Sequence, residues 1–260
     1  MIWKREIQEA ITLLRKASHG VALTGAGVST PSGIPDFRGP ETGLWENSDA
    51  MEAASIYGFS RHPEAFYEWV RPLAALIFSA QPNPAHIALA ALERYGPLKA
   101  VLTQNVDLLH RRAGSRVVHE MHGHVRLATC IRCYQILGAE EPLRTFLETG
   151  EIPRCPTCGG VLKPNVILFG EQLPVSILNA ARREARASDV MLIAGTSLEV
   201  APACDLPQLA VETGAALVVI NQSVTHIDHL AEVVIRANVE EILPELARPF
   251  LPAADGSELT

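Results

Sequence analysis

The chain has 260 residues, of which 48% are hydrophobic and 20% are charged, and its formal net charge is −7. This composition is typical of a globular protein and excludes a disordered chain. No run of about eighteen apolar residues is present, which argues against a membrane span. The negative net charge argues against a nucleic-acid partner. The N-terminal segment resembles an amphipathic helix rather than a signal peptide, so we expect a cytoplasmic protein.

Helical and strand patterns alternate along most of the chain. The predicted helices cover 4–18, 83–96 (begun by the N-cap pair Asn83–Pro84), 176–187, a segment ending near Gly214 and a segment reaching Leu246. The predicted strands cover 21–24, 99–103, a segment from Val117 to the His122–Gly123 pair, 190–194, 217–220 and, weakly, 233–235. This alternation predicts an α/β fold, a Rossmann-like doubly wound parallel sheet covered by helices on both faces.

Two segments interrupt the alternation. Residues 37–82 are predicted to be helices joined by loops, and residues 123–162 contain paired cysteines. We expect both to be insertions that form a smaller lobe, helical in the first part and zinc-binding in the second. The large lobe would then comprise 1–36, 83–122 and 163–250, with a tail at 251–260 and a cleft between the lobes.

Five of the predicted strands end in small or hydrogen-bonding residues. These ends are Gly25-Ala26-Gly27, Gln104-Asn105, His122-Gly123, Gly195-Thr196-Ser197 and Asn221-Gln222. Ligands of parallel α/β sheets bind outside the carboxyl ends of the strands. The sequence therefore predicts a ligand site at this edge of the sheet.

The first of these turns begins like a dinucleotide-binding fingerprint, because glycines after a strand let backbone amides approach a pyrophosphate. Thr30 stands where that fingerprint has its third glycine, and nearby prolines favour a loop over a helix, so a plain tight turn is the alternative. The loop continues with Asp36, Phe37 and Arg38, which suit contacts with a phosphate and a ring. A surface loop in which Arg38 pairs with Asp36 is the alternative here.

Four of the five cysteines form two Cys-x-x-Cys pairs separated by 21 residues, and they are Cys130, Cys133, Cys155 and Cys158. In a cytosolic chain this spacing favours a metal over disulfides. We expect one closed, structural zinc site with four thiolate ligands, with a redox pair as the lesser alternative. Cys204 is left over and is expected to be a small buried residue.

Taken together, the motifs resemble the sirtuins, the silent-information-regulator-type NAD-dependent protein-lysine deacylases, in particular their compact prokaryotic members. The matching segments, in family order, are the loop over 25–39, the run Thr103-Gln104-Asn105-Val106-Asp107-Leu108-Leu109-His110, the run Glu120-Met121-His122-Gly123, the cysteine pairs, the segment from Pro164 to Glu171, the run Gly195-Thr196-Ser197-Leu198 with Pro202, and Asn221. These segments extend over residues 20 to about 245, which is nearly the whole chain.

The resemblance implies that NAD binds and is consumed as a co-substrate. The implied cofactor-binding residues are Gly25, Ala26, Gly27, Ser29, Ile34, Asp36, Phe37, Arg38, Trp45, Gln104, Asn105, Val106, Asp107, His122, Gly195, Thr196, Ser197, Asn221, Gln222 and Val239. Within this set, the resemblance assigns Asn105 and Asp107 to the pocket where nicotinamide is expelled. It assigns Phe37 to shielding the sugar carbon exposed when nicotinamide leaves.

The reaction implied by the resemblance is removal of an acetyl group from lysine. The acyl oxygen attacks the ribose carbon, nicotinamide departs, and the products are free lysine, nicotinamide and O-acetyl-ADP-ribose. His122 and Asn105 are the implied catalytic residues, with His122 as general base because an imidazole titrates near neutrality. His110, His119 and His124 are rivals by residue type, and we favour His122 because it ends a strand at the ligand edge.

The implied partner is an acetylated protein or peptide. The residues expected to flank the acyl-lysine and pair with the substrate backbone are Val166, Ile167, Phe169, Gly170, Glu171, Leu198, Glu199 and Val200. Such a site suits an extended peptide added as a strand, and a plain buried strand over 166–169 is the alternative.

Acyl specificity is expected to favour a neutral group. Family members that prefer succinyl or malonyl lysine carry Tyr-x-x-Arg, whereas here Tyr67 and Arg71 are four positions apart, and Val70 and Leu73 take the two equivalent places. A succinyl carboxylate buried there would lack a cation, which is unfavourable.

Other functions share some of these features. A dehydrogenase is expected to show the full fingerprint with an acidic residue about twenty positions on, and the sequence lacks it. Protein ADP-ribosyl transfer and removal of longer neutral acyl groups both keep the NAD site and remain open. A zinc lobe that reads nucleic acid is disfavoured by the net charge. Oligomeric state is not set by the sequence, and a monomer is compatible with it.

Overall fold

The computed structural model describes residues 2–36 and 48–252. The predictions for Phe37, Arg38 and Trp45, and for the tail beyond residue 252, lie outside the described residues. Within the described ranges, no helix is both long enough and apolar enough to cross a membrane.

The strands and helices follow the predicted alternation closely. The strands are β1 (Gly20–Thr24), β2 (Leu98–Thr103), β3 (Val118–Glu120), β4 (Gly123–Cys130), β5 (Ile136–Gly138), β6 (Leu162–Val166), β7 (Val190–Ala194), β8 (Ala216–Ile220) and β9 (Val233–Ile235). The helices are α1 (Lys4–Lys16), α2 (Ser48–Ala53), α3 (Ile56–Arg61), α4 (Pro63–Ser79), α5 (Pro84–Tyr95), α6 (Leu109–Arg112), α7 (Glu140–Thr149), α8 (Val175–Ala187), α9 (Leu206–Glu212) and α10 (Val239–Ala247).

The main sheet has six parallel strands in the order β3-β2-β1-β7-β8-β9. Side chains of β1 alternate between its two faces, as a strand requires. Ala22 packs against the layer of α1, α5 and α10, whereas Val21 and Leu23 pack against α8 and α9. Helices therefore cover both faces, and the predicted doubly wound α/β fold is confirmed.

A second, antiparallel sheet has the order β5-β4-β6 and carries the four paired cysteines. It shares a core with α3, α4 and α7 that is rich in aromatic rings. The rings of Phe59 and Phe66 pack edge to face with their centroids 5.1 Å apart, and the ring centroids of Tyr67 and Phe146 are 4.9 Å apart. The sequence predicted an interruption here but no strands, so this sheet is a feature that the structure adds.

Two local predictions differ from the structure. The third strand of the main sheet ends at Glu120 rather than at His122, because the backbone N–H of Met121 makes the last bond to Thr103 and Gly123 then turns the chain at φ 79°. Cys204 is half-buried rather than buried, because it lies in the short turn before α9 with its Sγ 3.5 Å from the carboxylate of Asp205.

Candidate active site

A cleft of about 980 Å³ lies along the carboxyl edge of the main sheet and continues between that sheet and the second lobe, which consists of the antiparallel sheet with α3, α4 and α7. Most of the residues predicted from the sequence line it. They are Gly25, Ala26, Gly27, Asp36, Gln104, Asn105, Val106, His122, Val166, Ile167, Phe169, Gly170, Glu171, Gly195, Thr196, Ser197, Val200, Asn221, Gln222 and Val239. Strand ends that are far apart in the sequence thus form one surface.

Two glycine turns pack directly against each other at the centre of this edge. A Cβ on Gly25 would lie 2.7 Å from the Cβ of Thr196, and the Gly27 N–H donates to the Gly195 carbonyl at 2.9 Å. Gly195 has φ 59°, and its own Cβ would lie 2.4 Å from the backbone N of Val28. After Gly25 the chain forms short 3₁₀ turns rather than a helix, in agreement with the sequence analysis.

Asn105 is fixed in orientation by a buried network behind the cleft wall. Its Nδ2 donates to the Gly25 carbonyl and to the Ser29 hydroxyl, both at 3.0 Å. That hydroxyl donates to Asp107 at 2.6 Å, and the same carboxyl group accepts from the Leu109 N–H at 2.8 Å. Ser29 and Asp107 therefore lie beneath the wall and support Asn105.

Burial raises the pKa of Asp107 above its usual range, and the hydrogen bond from Ser29 offsets part of that rise. A carboxyl group in this position is sensitive to any change in its partners, because desolvation disfavours its charged form. The network thus forms a buried polar cluster next to the glycine turns.

His122 is half-buried at the cleft, with Nδ1 donating to the Gln104 carbonyl at 3.0 Å. Burial lowers the pKa of His122, and the bond to Gln104 opposes part of that shift. The ring is therefore neutral at neutral pH. With the proton on Nδ1, the lone pair of Nε2 is available to accept a proton.

The three rival histidines lie away from the cleft surface. His110 is buried, with Nε2 2.9 Å from the Thr24 hydroxyl and its ring against His86. His119 lies on β3, and His124 follows the turn into β4. Of the four histidines, His122 is the one placed to act on a ligand.

The segment after β6 lies against the other side of the cleft. Phe169 uses both of its backbone groups to bond residues 54 and 56, at 3.0 and 2.9 Å. Glu171 pairs with Lys163 at 2.9 Å and accepts from the Leu168 N–H at 2.8 Å, so its carboxylate shapes this loop. Leu198 is buried in the sheet core, and neither it nor Glu199 lines the cleft. Ile34 is also buried, packed against α4.

The apolar wall formed by α4 is the part of the site that the sequence predicts least well. Val70 and Leu73 are predicted from the sequence, but Trp69, Ile77 and Phe78 also line the cleft. The signal was present as an apolar stripe at 66, 70, 73 and 77, which is one face of a helix. Such a stripe is equally typical of a buried core face, so it did not identify a ligand wall.

Tyr67 and Arg71 face away from that wall. The Tyr67 hydroxyl donates to the Leu162 carbonyl at 2.5 Å, and Arg71 Nη2 donates to the Leu147 carbonyl at 2.9 Å. Arg71 also lies over the Phe146 ring, 5.8 Å from its centroid. Their side chains therefore hold the second lobe together and leave Val70 and Leu73 towards the cleft.

The four paired cysteines converge into one cluster, with all Sγ atoms within 4.8 Å of one another. Cys130 and Cys158 are 3.5 Å apart, and Cys133 and Cys155 are 3.7 Å apart. Tetrahedral zinc with bonds of about 2.3 Å places its sulfurs about 3.8 Å apart, so this spacing fits the ion. Backbone N–H groups of Cys133 and Arg132 lie 3.5 and 3.4 Å from the Cys130 Sγ and lower the pKa of that thiol.

These features define a class of protein: a doubly wound sheet whose glycine turns and strand ends form a dinucleotide-type site, with a four-cysteine lobe beside it. A model of the Sir2 family matches residues 25–202. The chain belongs to the Sir2 family.

Two curated relatives from archaea match almost the whole chain. NAD-dependent protein deacylase 2 of Archaeoglobus fulgidus is 46% identical, over 93% of this chain and 94% of its own length. NAD-dependent protein deacetylase 1 of Pyrobaculum aerophilum is 46% identical, over 93% of both chains.

Solved structures of similar shape include complexes with ligands. A Sir2 variant with a deacetylated p53 peptide and 3′-O-acetyl ADP-ribose has a TM-score of 0.86 and 37% identity, covering 94% of this chain and 98% of that one. A complex of a Sir2 homologue with NAD has a TM-score of 0.84 and 39% identity, covering 94% and 93%.

The contact between the glycine turns generates a stability prediction. Gly195→Ala is expected to lower the free energy of unfolding more than Gly214→Ala. Both glycines have positive φ, at 59° and 95°, but a Cβ on Gly214 meets no atom within 4 Å. The control should therefore lose only the backbone term of about 1–2 kcal/mol. Urea unfolding of both variants measures the difference, and equal losses would show that the turns do not depend on this contact.

Proposed function

We propose that this protein is an NAD-dependent protein-lysine deacetylase, which transfers the acetyl group of acetyl-lysine to ADP-ribose and releases nicotinamide and O-acetyl-ADP-ribose. The observation that carries the proposal is the position of His122, a neutral base facing the same continuous cleft as Asn105 and both glycine turns. Relatives named NAD-dependent deacetylase and deacylase, and similar structures bound to NAD and peptide, support it.

NAD is assigned to the part of the cleft at the strand ends. The backbone of Gly25, Ala26 and Gly27, with Thr196 and Ser197, offers small and polar groups where a pyrophosphate needs close approach. Asn221, Gln222 and Val239 lie at the other end of this stretch and are assigned to the adenosine part. When bound, NAD supplies an electrophilic ribose carbon and a nicotinamide leaving group.

His122 is assigned to proton removal from a ribose hydroxyl. Its Nδ1–H is held by Gln104, so Nε2 is the accepting atom, and the lowered pKa keeps that atom unprotonated at neutral pH. Asn105, fixed by Gly25 and Ser29, is assigned to orienting polar groups in the nicotinamide pocket.

The acyl group is assigned to the apolar wall of α4. Val70, Leu73 and Ile77 carry no charge that could pair with a carboxylate. The guanidinium of Arg71 donates instead to the backbone carbonyl of Leu147. This supports acetyl or another neutral acyl group. Because the wall continues to Ile77 and Phe78, removal of longer neutral acyl groups is the second candidate activity.

The substrate is assigned to the loop around Gly170 as an extended acetylated peptide. Phe169 already pairs with residues 54 and 56, so a substrate strand would pair from Gly170 onwards.

Zinc is assigned to the four-cysteine cluster as a structural ion. Paired thiols that ligate a metal, together with the half-buried Cys204, suit a reducing compartment, and we place the protein in the cytoplasm.

The activity is tested by mass spectrometry of reactions that contain NAD and an acetyl-lysine peptide. We expect deacetylated peptide, nicotinamide and O-acetyl-ADP-ribose in equal amounts, and a loss of about a hundredfold or more in His122→Ala, in line with removal of a general base. A succinyl-lysine peptide in a parallel reaction is expected to react much more slowly. ADP-ribose attached to protein, with no deacylated peptide, would instead indicate a transferase.

The rate of deacetylation is expected to stay high below the pH at which an ordinary histidine protonates. Neutral His122 is the active form, and burial lowers its pKa, so the acidic limb of the kcat profile should have its midpoint below about 6.5. The kcat of the wild-type enzyme measured from pH 5 to 8 checks this. A midpoint above about 6.5 would contradict the assignment of His122 as the base.

Zinc binding is tested by two glycines of the same lobe. A Cβ on Gly160 would lie 2.8 Å from Cys130 Sγ, whereas one on Gly138 meets nothing within 4 Å. We expect one zinc ion per wild-type chain, a weaker hold on that ion in Gly160→Ala, and wild-type behaviour in Gly138→Ala. Metal analysis after titration with a chelator measures this, and removal of the ion should unfold the lobe. Equal zinc retention in both variants would contradict the proposed site.

A further inference from the structure

A buried carboxylate next to the segment that carries His122 pairs with two partly exposed arginines. The carboxylate of Glu120 is 7% exposed and accepts two parallel bonds from Arg126, from Nη1 at 2.6 Å and from Nη2 at 2.5 Å. Arg111 approaches the same carboxylate at 3.4 Å and donates to the Val118 carbonyl at 2.9 Å. A two-bond contact of this kind fixes orientation as well as distance.

The pair spans the crossing from one sheet to the other. Glu120 ends β3 in the main sheet, His122 follows two residues later, and Gly123 begins β4 in the second sheet. The backbone ladder between β4 and β6 is irregular here, since Gly123 pairs with Val166 and regular pairing resumes only at Ala128. Arg126 lies inside this gap, where the ladder to β6 does not hold the strand.

The carboxylate also connects to the loop that carries Asn105. Arg111 belongs to α6, which begins directly after that loop at Leu109. Glu120 therefore contacts one side chain from α6, which follows the loop that carries Asn105, and one from β4, which follows His122. The two elements lie on opposite sides of the boundary between the lobes.

We propose that Glu120 and Arg126 form a positioning pair, which holds His122 at the place where it removes the ribose proton. This inference rests on the proposed deacetylase function. Misplacement of a catalytic group by about 1 Å can slow a reaction up to a hundredfold. The pair itself contacts no reacting atom and is not itself catalytic.

The test separates two steps of the reaction. Nicotinamide leaves the ribose carbon before the base acts. Because this step is reversible, labelled free nicotinamide can be incorporated into NAD. This exchange does not need His122, whereas completion of deacetylation does. A displaced His122 should therefore slow deacetylation while exchange continues.

The variants are Glu120→Gln and Arg126→Lys, and the control is Arg5→Gln, which breaks the exposed pair of Arg5 with Glu9 on α1. We expect deacetylation to fall about tenfold or more in both variants. Nicotinamide exchange and the KM for NAD should stay within about twofold of wild type, and the control should behave as wild type in every assay.

The outcomes are distinct. Parallel losses of exchange and deacetylation, or no change in either, would overturn the positioning role. A wild-type enzyme without deacetylation would instead refute the proposed function. If thermal melting shows that Glu120→Gln does not fold, Arg126→Lys decides, because lysine keeps the charge opposite Glu120 but lacks the planar fork.

Discussion

The register of the main sheet is the constraint on which the site depends. Thr24 is paired with Thr103 on one side and with Ala194 on the other, and the same row continues to Glu120 and Ile220. Every strand in this row therefore ends at one level. The residues that follow each strand meet at a single edge, and a slip of one residue in any strand would reverse which side chains face each core.

Close approach of backbones then converts this edge into a site. The turns after β1 and β7 touch through Gly27 and Gly195, where side chains would collide. Their contact places both turns, together with Thr196 and Ser197, on one wall of the cleft. The wall opposite is apolar, because α4 presents Val70 and Leu73 to the cleft and sends Arg71 into the second lobe. The same cleft thus offers a polar end and an apolar end.

Sequence patterns predicted the parts of this arrangement that local chemistry determines. The strands of the main sheet, the N-cap at Asn83 and the convergence of four cysteines all follow from short-range signals, and each is present. The antiparallel sheet was not predicted, because β5 has only three residues and β6 contains Pro164, which argues against a strand, so both depend on pairing with β4. Neither was the support of Asn105 by Ser29, a contact between residues 76 positions apart that no local pattern encodes. The same holds for the partnership of Glu171 with Lys163, since a motif identifies a residue without its neighbours.

Gln104 shows why these separate features act as one unit. Its backbone N–H bonds the Thr24 carbonyl at 3.0 Å, and its side chain donates to the Thr196 hydroxyl at 2.9 Å. Its own carbonyl accepts the Nδ1–H of His122. One residue therefore links the ends of β1 and β7 to the base, whereas the backbone carbonyl of His122 accepts from the Ile167 N–H at 2.8 Å and so links the base to the segment after β6. Gly123 follows with φ 79°, and a Cβ there would lie 2.0 Å from the Asn165 carbonyl oxygen, so the crossing from one sheet to the other requires glycine at this position.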